Sequence, residues 1–349
     1  MLELAARLHA EMSMMVCCLD DAGTWACGLG DRGIEVHALR RAPGFRPALG
    51  RAIARIAAKH EATVIHAHHY SPFVYSCLAR VWRPGTHVVF TEHGRLSDAP
   101  PSRKRMVANR VLARFPGRIF AVSEDLKRHL VQEGFGPHAV EVVYNGIDAG
   151  PPPDAGERAR ARQQVGAAPD TVVIGTVARL DPVKDVATLL RAAAQLIADV
   201  PAMLVVVGDG PERLPLERLT SDLGIQSHVR FLGYRDDVRT LLAGFDVYAN
   251  SSISEGVSLT ILEAMAARLP VVATRVGGTP EVVDETCGRL VSARNADDLA
   301  ASLRALACRP LDRRALGDAG RRRVESRFTV DRMAREYRDV YASVAERAY

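Results

Sequence analysis

The sequence lacks the cysteine patterns that mark several small or metal-dependent protein classes. No CxxC pair and no zinc-finger spacing occurs, which argues against a disulfide framework and a zinc finger. The adjacent pair at 17 and 18 lies in an apolar run and indicates a buried strand in a reducing compartment. The six cysteines are Cys17, Cys18, Cys27, Cys77, Cys287 and Cys308.

Long apolar runs are also missing, and no secretion signal is evident. We therefore expect a cytoplasmic protein, with at most a peripheral contact at the inner face of a membrane. No acidic metal motif such as DxD stands at a strand end with supporting ligands, so no metal and no other cofactor is expected. The basic clusters have no aromatic stacking platform, which argues against nucleic acid as a partner.

The charge balance leaves a mild positive excess, 46 − 41 = +5. This excess fits an anionic ligand or an anionic membrane face, although much basic surface is simply solvated. The stretch "PSRKRMVANRVLARFPGR", residues 101–118, alternates basic and apolar residues. It is typical of a helix that docks on anionic lipid, or equally of a solvated helix face.

Short Val- and Ile-rich runs alternate with amphipathic stretches along both halves of the chain. Examples are "TVIHAH" and "HVVFTE" in the first half, and "TVVIGTVA" and "AMLVVVG" in the second. Strands buried on both faces and separated by helices indicate parallel sheets covered on both sides. The predicted fold class is α/β, with two Rossmann-like doubly wound domains and a ligand cleft at the carboxyl ends of their strands.

The domain boundaries follow from composition. Residues 149–170 contain three consecutive prolines and scattered glycines, which predicts an interdomain linker. The first domain is then 1–148 and the second 171–327. Residues 328–349 form one amphipathic helix, either a closing helix or a surface appendage.

The stretch "SISEGVSLTILEAMAARLPVVAT" holds two acids eight residues apart, Glu255 and Glu263. A loop leads into a helix near Ser258, and free backbone N–H groups at a helix start favour a phosphate. Gly256 allows the backbone to approach a ligand closely. Carboxylates do not bind phosphate, but they accept hydrogen bonds from diols. A nucleotide-sugar, with hydroxyl pairs on both sides of a diphosphate, would use both features.

Two cations follow an earlier strand in "GTVARLDPVKD". Arg179 and Lys184 lie five residues apart, and a guanidinium with an ammonium makes a suitable clamp for a diphosphate. The alternative is structural: both side chains would form surface ion pairs with Asp181 or Asp185.

Several of these motifs together resemble the retaining glycosyltransferases of family 4, which have the two-domain GT-B architecture. The resembling segments are "VARLDPVKD", "VVVGDGPERLPLE", "VRFLGYRDDV", "SEGVSLTILEAMAARLPVVAT" and "VGGTPEVV". The resemblance runs over nearly the whole chain and is stronger in the second domain. It implies that the first domain serves the acceptor and the second the nucleotide-sugar.

The resemblance also implies roles for particular residues. Glu255 would contact the donor sugar, Glu263 the ribose, and Arg179 with Lys184 the diphosphate. The donor loop would comprise Gly256, Val257, Ser258, Leu259 and Thr260, with a serine at 258 where glycine is more usual. The backbone at Tyr234 or Arg235 would read the base.

In the first domain, His93 at the end of "VVFTEH" matches the family histidine that approaches the donor sugar. Without the resemblance, a lone histidine at a strand end would be interpreted as structural. His66 and His68 share one strand face, as metal ligands can, but no carboxylate or cysteine accompanies them, so we expect core or cleft lining. Asn145 in "YNGID" matches a family element at the cleft, and the Asn-Gly pair also indicates a turn.

One expected element is absent from the sequence. Family members open with a strand and a Gly-rich loop, whereas this sequence begins with "MLELAARLHAEM", which corresponds to the helix that follows them. In a doubly wound sheet that strand is central, so its loss should expose apolar faces of its neighbours.

The function predicted from the resemblance is metal-independent, retaining transfer of a sugar from a nucleotide-sugar to an acceptor hydroxyl. UDP is favoured over GDP, and a cell-envelope glycan or a lipid-linked saccharide is the expected acceptor. Two alternatives remain open: a nucleotide-sugar-binding protein without transferase activity, and a GT-B nucleotide-sugar epimerase.

Overall fold

The computed structural model describes residues 1–23, 26–95 and 101–346, except for the side chain of Cys27. The last three residues of the expected C-terminal helix lie outside these ranges. The chain divides into two compact units. The first comprises Met1–Gly146 with Val330–Tyr349, and the second comprises Ile147–Thr329. Among the described residues, no helix combines the length and the apolarity that a membrane crossing requires.

The first unit alternates helices and strands from its beginning. Its elements are α1 (Leu2–Leu8), β1 (Met15–Cys18), α2 (Ala26–Gly30), β2 (Glu35–Ala38), α3 (Ala48–Lys59), β3 (Val64–His68), α4 (Tyr70–Trp82), β4 (His87–Glu92), α5 (Arg103–Leu112), β5 (Pro116–Ala121), α6 (Glu124–Gln132) and β6 (Val140–Val142).

The strands of this unit form two separate parallel sheets. β1 pairs with β2, and a second sheet has the order β3-β4-β5-β6. β1 and β3 therefore each present an unpaired edge within the described chain. A cavity of about 530 Å³ is lined from one side by Met15, Val16 and Cys17 of β1 and from the other by Val64 and His66 of β3. The walls of this cavity are mostly apolar, in line with the expectation of exposed apolar faces in this part of the first unit.

The second unit repeats the alternation with more deeply buried strands. Its elements are α7 (Ala155–Gln164), β7 (Val172–Val177), a 3₁₀ turn (Pro182–Lys184), α8 (Val186–Ile197), β8 (Ala202–Val207), α9 (Arg213–Asp222), a 3₁₀ turn (Gln226–His228), β9 (Val229–Gly233), α10 (Val238–Leu242), β10 (Val247–Asn250), α11 (Leu259–Ala266), β11 (Val271–Thr274), α12 (Thr279–Val282), β12 (Gly288–Val291), α13 (Ala296–Ala307) and α14 (Pro310–Arg327).

These strands form one six-stranded parallel sheet with the order β12-β11-β10-β7-β8-β9. Helices α8 and α13 cover one face through Leu189, Leu196, Leu299 and Leu303, all fully buried. Each fully buried leucine side chain contributes roughly 1.5–3 kcal/mol of hydrophobic stabilisation. The continuous apolar strands predicted from the sequence are therefore explained by burial on both faces.

The predicted linker is wrong as a description of residues 149–170. The chain forms α7 there, because Asp154 and Glu157 make a reciprocal capping box at its start. Arg158 and Arg162 of this helix then bind opposite oxygens of Asp246, at 2.6 and 3.0 Å. Helix α7 is thereby fixed to the second unit, and regular structure is lacking only in the proline run before it and in the turns at 165–170 after it.

The chain ends by returning to the first unit as α15 (Val330–Glu346). The apolar face of α15 packs against the four-stranded sheet and against α1. The buried cluster contains Leu4, Leu8, Val89, Phe120, Val143, Val330, Met333, Ala334, Tyr337, Tyr341 and Val344. Of the two alternatives for this segment, the structure shows a closing helix.

Candidate functional site

The second unit has a topological switch point between β7 and β10. From β7 the chain proceeds through β8 and β9 on one side, then crosses to β10 on the other. At such a point the loops after the two central strands diverge and leave a crevice at the carboxyl ends, where open α/β sheets bind ligands. Lys184 follows β7 and Glu255 follows β10, so both residues lie at this position.

Lys184 and Glu255 form an ion pair. The Lys184 Nζ donates to Glu255 Oε1 at 2.6 Å, and the side chains are only 24% and 9% exposed. The same oxygen accepts from Ser252 Oγ at 2.6 Å and from Asn250 Nδ2 at 3.4 Å. A carboxylate fixed by three donors has a defined position, as a contact to ligand hydroxyl groups requires.

Backbone contacts connect the two loops that carry this pair. Ile253 N donates to Val183 O at 2.8 Å, and Ser251 Oγ donates to Lys184 O at 2.9 Å. Asp185 adopts a left-handed conformation at φ +44° and accepts from Thr188 at the start of α8. A non-glycine residue with that backbone costs of order 1–3 kcal/mol, and such strain concentrates at functional sites.

A glycine holds the other side of the Glu255 loop. Gly277 has φ +51°, and a Cβ there would lie 1.8 Å from the carbonyl oxygen of Glu255. Gly278 N also donates to that carbonyl at 3.3 Å. The "VGGTPEVV" segment therefore permits close contact between two loops, and only glycine fits at position 277.

Arg179 is arranged differently from Lys184. Its side chain is 75% exposed and pairs with Asp181 at 3.0 Å, as in the surface-pair alternative. Lys184, by contrast, pairs with Glu255. The structure thus brings together one of the two predicted cations with one of the two predicted acids.

The start of α11 presents free backbone donors. Ser258 occupies the N-cap position in an extended conformation, but its hydroxyl contacts Thr260 Oγ1 at 3.1 Å and does not cap the helix. Thr260 Oγ1 in turn accepts a hydrogen bond from the Tyr248 hydroxyl at 2.7 Å. Backbone N–H groups in the first turn of a helix have no partner within the helix and favour an anion. Of the rest of the loop, Gly256 is half-buried, Val257 is buried and Leu259 is exposed.

Glu263 lies in the interior of α11 and is half-buried. Burial raises the pKa of its carboxyl group. Tyr234 and Arg235 follow β9 at the same carboxyl edge of the sheet. Tyr234 is 63% exposed, and the Arg235 guanidinium pairs with Asp237 at 2.6 Å.

In the first unit, His93 directly follows β4 and contacts a second histidine. Its Nε2 lies 2.9 Å from Nδ1 of His68, which ends the neighbouring strand β3. Burial lowers the pKa of His93 to about 3, and that of His68 also falls well below its usual value. Both imidazoles are therefore neutral near pH 7. The sequence analysis missed this contact, although the alternation of histidines on β3 was its signal.

For His66 and His68 we expected core or cleft lining, and the contacts of His66 support a position in the core. Its Nδ1 contacts the Tyr341 hydroxyl at 2.5 Å and its Nε2 contacts Thr91 Oγ1 at 2.8 Å. With both nitrogens engaged by protein groups, His66 offers no free atom to a metal. Burial lowers its pKa to about 3.

Glu92 is a buried acid that the sequence analysis did not single out. It is 2% exposed, and its Oε1 accepts from His93 N at 3.0 Å and contacts His69 Nδ1 at 2.9 Å. This carboxylate fixes the turn that carries His93. Asn145 lies half-buried in the loop after β6, at the same carboxyl edge.

The basic stretch 101–118 forms the exposed helix α5 in its first half. Val107 and Val111 are 59% and 49% exposed, although both are apolar. Two of its basic residues are engaged in ion pairs, Arg105 with Glu133 and Arg118 with Glu141. The exposed basic residues are Arg103, Lys104, Arg110 and Arg114.

Comparison with known proteins covers both units. The description "Glycosyltransferase Family 4" matches residues 1–150, and "Glycosyl transferases group 1" matches residues 157–323. The D-inositol 3-phosphate glycosyltransferase of Geodermatophilus obscurus is 32% identical over 326 residues, spanning 84% of this chain and 70% of the relative. The chain belongs to glycosyltransferase family 4. The family predicted from the sequence is thereby confirmed.

Other relatives of this family 4 chain differ in substrate. The N-acetyl-alpha-D-glucosaminyl L-malate synthase of Bacillus anthracis is 26% identical over 324 residues, spanning 89% of this chain and 82% of the relative. The crystal structure of Anabaena Alr3699/HepE with UDP and glucose superposes with a TM-score of 0.88 at 25% identity, covering 98% and 94% of the two chains. The predicted α/β GT-B fold is confirmed, and the chain is a glycosyltransferase of the type that uses nucleotide-sugars.

Proposed function

We propose that this glycosyltransferase is a retaining, metal-independent enzyme that transfers a sugar from a UDP-sugar to an acceptor hydroxyl. The observation that carries the proposal is the half-buried Lys184–Glu255 pair at the switch point of the six-stranded sheet. UDP is favoured because the similar HepE structures contain UDP.

The roles follow from the chemistry of each group. Lys184 and the start of α11 would stabilise the negative charge that develops on the leaving diphosphate. Glu255 would accept hydrogen bonds from sugar hydroxyls and Glu263 from the ribose. Arg179 is exposed and can leave Asp181 for a phosphate at little cost, because exposed ion pairs contribute only about 0–1 kcal/mol.

In the transfer step, the bond between sugar C1 and the diphosphate oxygen breaks. A bond from C1 to the acceptor oxygen forms on the same face of the ring. The acceptor proton passes to the leaving phosphate oxygen, so the step needs no separate protein base. His93, neutral near pH 7, would donate or accept a hydrogen bond toward the sugar without adding charge.

The acceptor is proposed as a cell-envelope glycan or a lipid-linked saccharide. The exposed Val107 and Val111 beside basic residues of α5 favour a peripheral contact with an anionic membrane. A second acceptor class is a small anionic alcohol, favoured because the names of two relatives state inositol 3-phosphate and malate.

Calorimetric titration with UDP and GDP tests the donor site. We expect UDP to bind more tightly and Lys184→Ala to weaken binding at least tenfold, because a charged hydrogen-bonding partner is lost. Arg218→Ala, an exposed position on α9 of the same unit, is the matched control and should bind like the native protein. Equal binding by Lys184→Ala and the control would refute the assignment.

Product analysis separates the proposal from its alternatives. A transferase yields a glycosylated acceptor with the anomeric configuration of the donor, which NMR coupling constants report. An epimerase yields an isomerised donor, and a binding protein yields no product. Glu255→Gln should lower turnover more than it lowers UDP affinity, because the carboxylate contacts the sugar and not the nucleotide.

A further inference from the structure

Two imidazoles and one carboxylate converge at the amino end of β2 in the first unit. Glu35 is the first residue of β2, and His37 lies two positions later on the same strand face. His60 follows the end of α3, just before β3. Each of the three side chains offers one atom within 4.8 Å of the others.

The distances match those between ligands of one small cation. The two Nε2 atoms of His37 and His60 are 3.2 Å apart. Glu35 Oε1 lies 3.1 Å from His37 Nε2, and Glu35 Oε2 lies 3.5 Å from His60 Nε2. Zinc bonds of roughly 2.0–2.2 Å at tetrahedral angles place ligand atoms about 3.3–3.5 Å apart.

The hydrogen bonds within the cluster do not use every lone pair of the three side chains. Two ring nitrogens that face each other share a single proton, so one lone pair is already required as an acceptor. A divalent cation replaces that proton and binds both nitrogens and the carboxylate together. The histidine side chains are each 22% exposed and that of Glu35 is 50% exposed, so the site is open to solvent on one side.

One protein cation competes for the carboxylate. Lys59 Nζ lies 3.4 Å from Glu35 Oε1, but the lysine side chain is 66% exposed. A pair of this kind contributes about 0–1 kcal/mol, and the flexible side chain can move into solvent. Binding of a metal to the cluster therefore displaces little.

We propose that Glu35, His37 and His60 form a zinc site with a water molecule as the fourth ligand. The proposal is independent of the glycosyl-transfer function. The site lies at the amino ends of the strands, whereas ligands of doubly wound sheets bind at the carboxyl ends, where His93 and Asn145 lie. A structural role follows, since metal binding to a folded site stabilises the fold.

The position of the site shows which parts of the first unit the zinc ion would stabilise. β2 belongs to the two-stranded sheet, and His60 belongs to the connection that leads into β3 of the four-stranded sheet. No ladder pairing joins these sheets within the described residues. A zinc ion bound by β2 residues and by His60 connects the two sheets where no backbone pairing does.

Calorimetric titration of untagged, metal-free protein with Zn²⁺ tests the proposal, with Mg²⁺ in parallel. We expect one zinc site, no matching magnesium site, and at least tenfold weaker zinc binding in His37→Gln and in His60→Gln. His138→Gln, an exposed histidine of the same unit, is the control and should bind like the native protein. Glu35→Gln keeps the size of the side chain and gives a third, independent variant.

A stability measurement gives a second readout. Zinc at about 100 times its Kd should raise the melting temperature of the first unit by roughly 5–10 °C, and a chelator should reverse the shift. The histidine variants should show no such shift. Exposed thiols at Cys17 and Cys308 are the competing zinc ligands. The proposal would be overturned if the protein bound no zinc saturably. It would also be overturned if both histidine variants kept the zinc stoichiometry of the native protein.

Discussion

Acid should destabilise the first unit and leave the second largely unaffected. Burial lowers the pKa values of four half-buried histidines in the first unit, including His129. The shift is large for three of them: His66 and His93, each to about 3, and His68. The second unit contains one histidine, the exposed His228. A perturbation from pH 7.5 to pH 5.5 therefore acts on one unit selectively.

The sign and size follow from proton linkage. In the unfolded chain these histidines titrate near pH 6.5, so at pH 5.5 each binds about 0.9 proton that the folded chain does not bind. The contribution of these neutral histidines to the free energy of unfolding is therefore fully present above about pH 6.5 and is lost as the pH falls toward 3. Between pH 7.5 and 5.5 each histidine costs the folded state at most about 1.4 kcal/mol. Partial solvent contact of the rings reduces this value, and the three together cost roughly 2–4 kcal/mol.

Urea unfolding followed by tryptophan fluorescence measures the effect, because both tryptophans, Trp25 and Trp82, precede the second unit in the sequence, and Trp82 ends α4 of the first unit. Far-UV circular dichroism follows both units together. The fluorescence midpoint should fall at pH 5.5, and His93→Gln should lose roughly a third of the pH dependence. His138→Gln, at an exposed position, should keep all of it. Equal stability of the first unit at both pH values would refute the reasoning.

Three further predictions concern other contacts. Gly277→Ala should cost more than about 1 kcal/mol and reduce UDP-sugar affinity in titration, because the new Cβ meets a carbonyl of the neighbouring loop at a positive φ; unchanged affinity would contradict the close approach. Asp246→Asn should destabilise the second unit by about 1.5–3 kcal/mol in urea, because two arginines of α7 lose their carboxylate, whereas Asp199→Asn at an exposed ion pair should cost less than about 1 kcal/mol. Replacing Arg103 and Arg110 by Gln should weaken binding to anionic vesicles roughly 30-fold, at about 1 kcal/mol per charge, and leave binding to neutral vesicles unchanged; equal loss on both would refute docking by charge.

Much of the fold could be predicted from local patterns. Continuous Val- and Ile-rich runs indicated strands buried on both faces, and their alternation with helices indicated parallel sheets. Exposed apolar faces beside the centre of the first sheet were also predicted, and the cavity between β1 and β3 fits that expectation. The assignment of residues 149–170 to the second unit could not be predicted, because a proline run suggests a linker whatever helix follows it.

The candidate site was predictable in part, because Glu255 and the start of α11 belong to one continuous motif. The resemblance also placed Lys184 at the donor site, but it did not predict the ion pair with Glu255. Lys184 lies 71 residues away and meets Glu255 only because β7 and β10 are neighbours in the sheet. The same reason hid the contact between His68 and His93, which lie at the ends of adjacent strands.

Most helices and strands, although not α7, could be predicted from the periodicity of neighbouring side chains. The family could be predicted because its motifs are contiguous in the chain. Which residues meet became clear from the three-dimensional fold alone, because parallel strands are joined by long crossovers and their order in the sheet is not contained in any local pattern. The Lys184–Glu255 pair arises from that order. The Glu35–His37–His60 cluster arises instead because the segment after α3 packs beside β2.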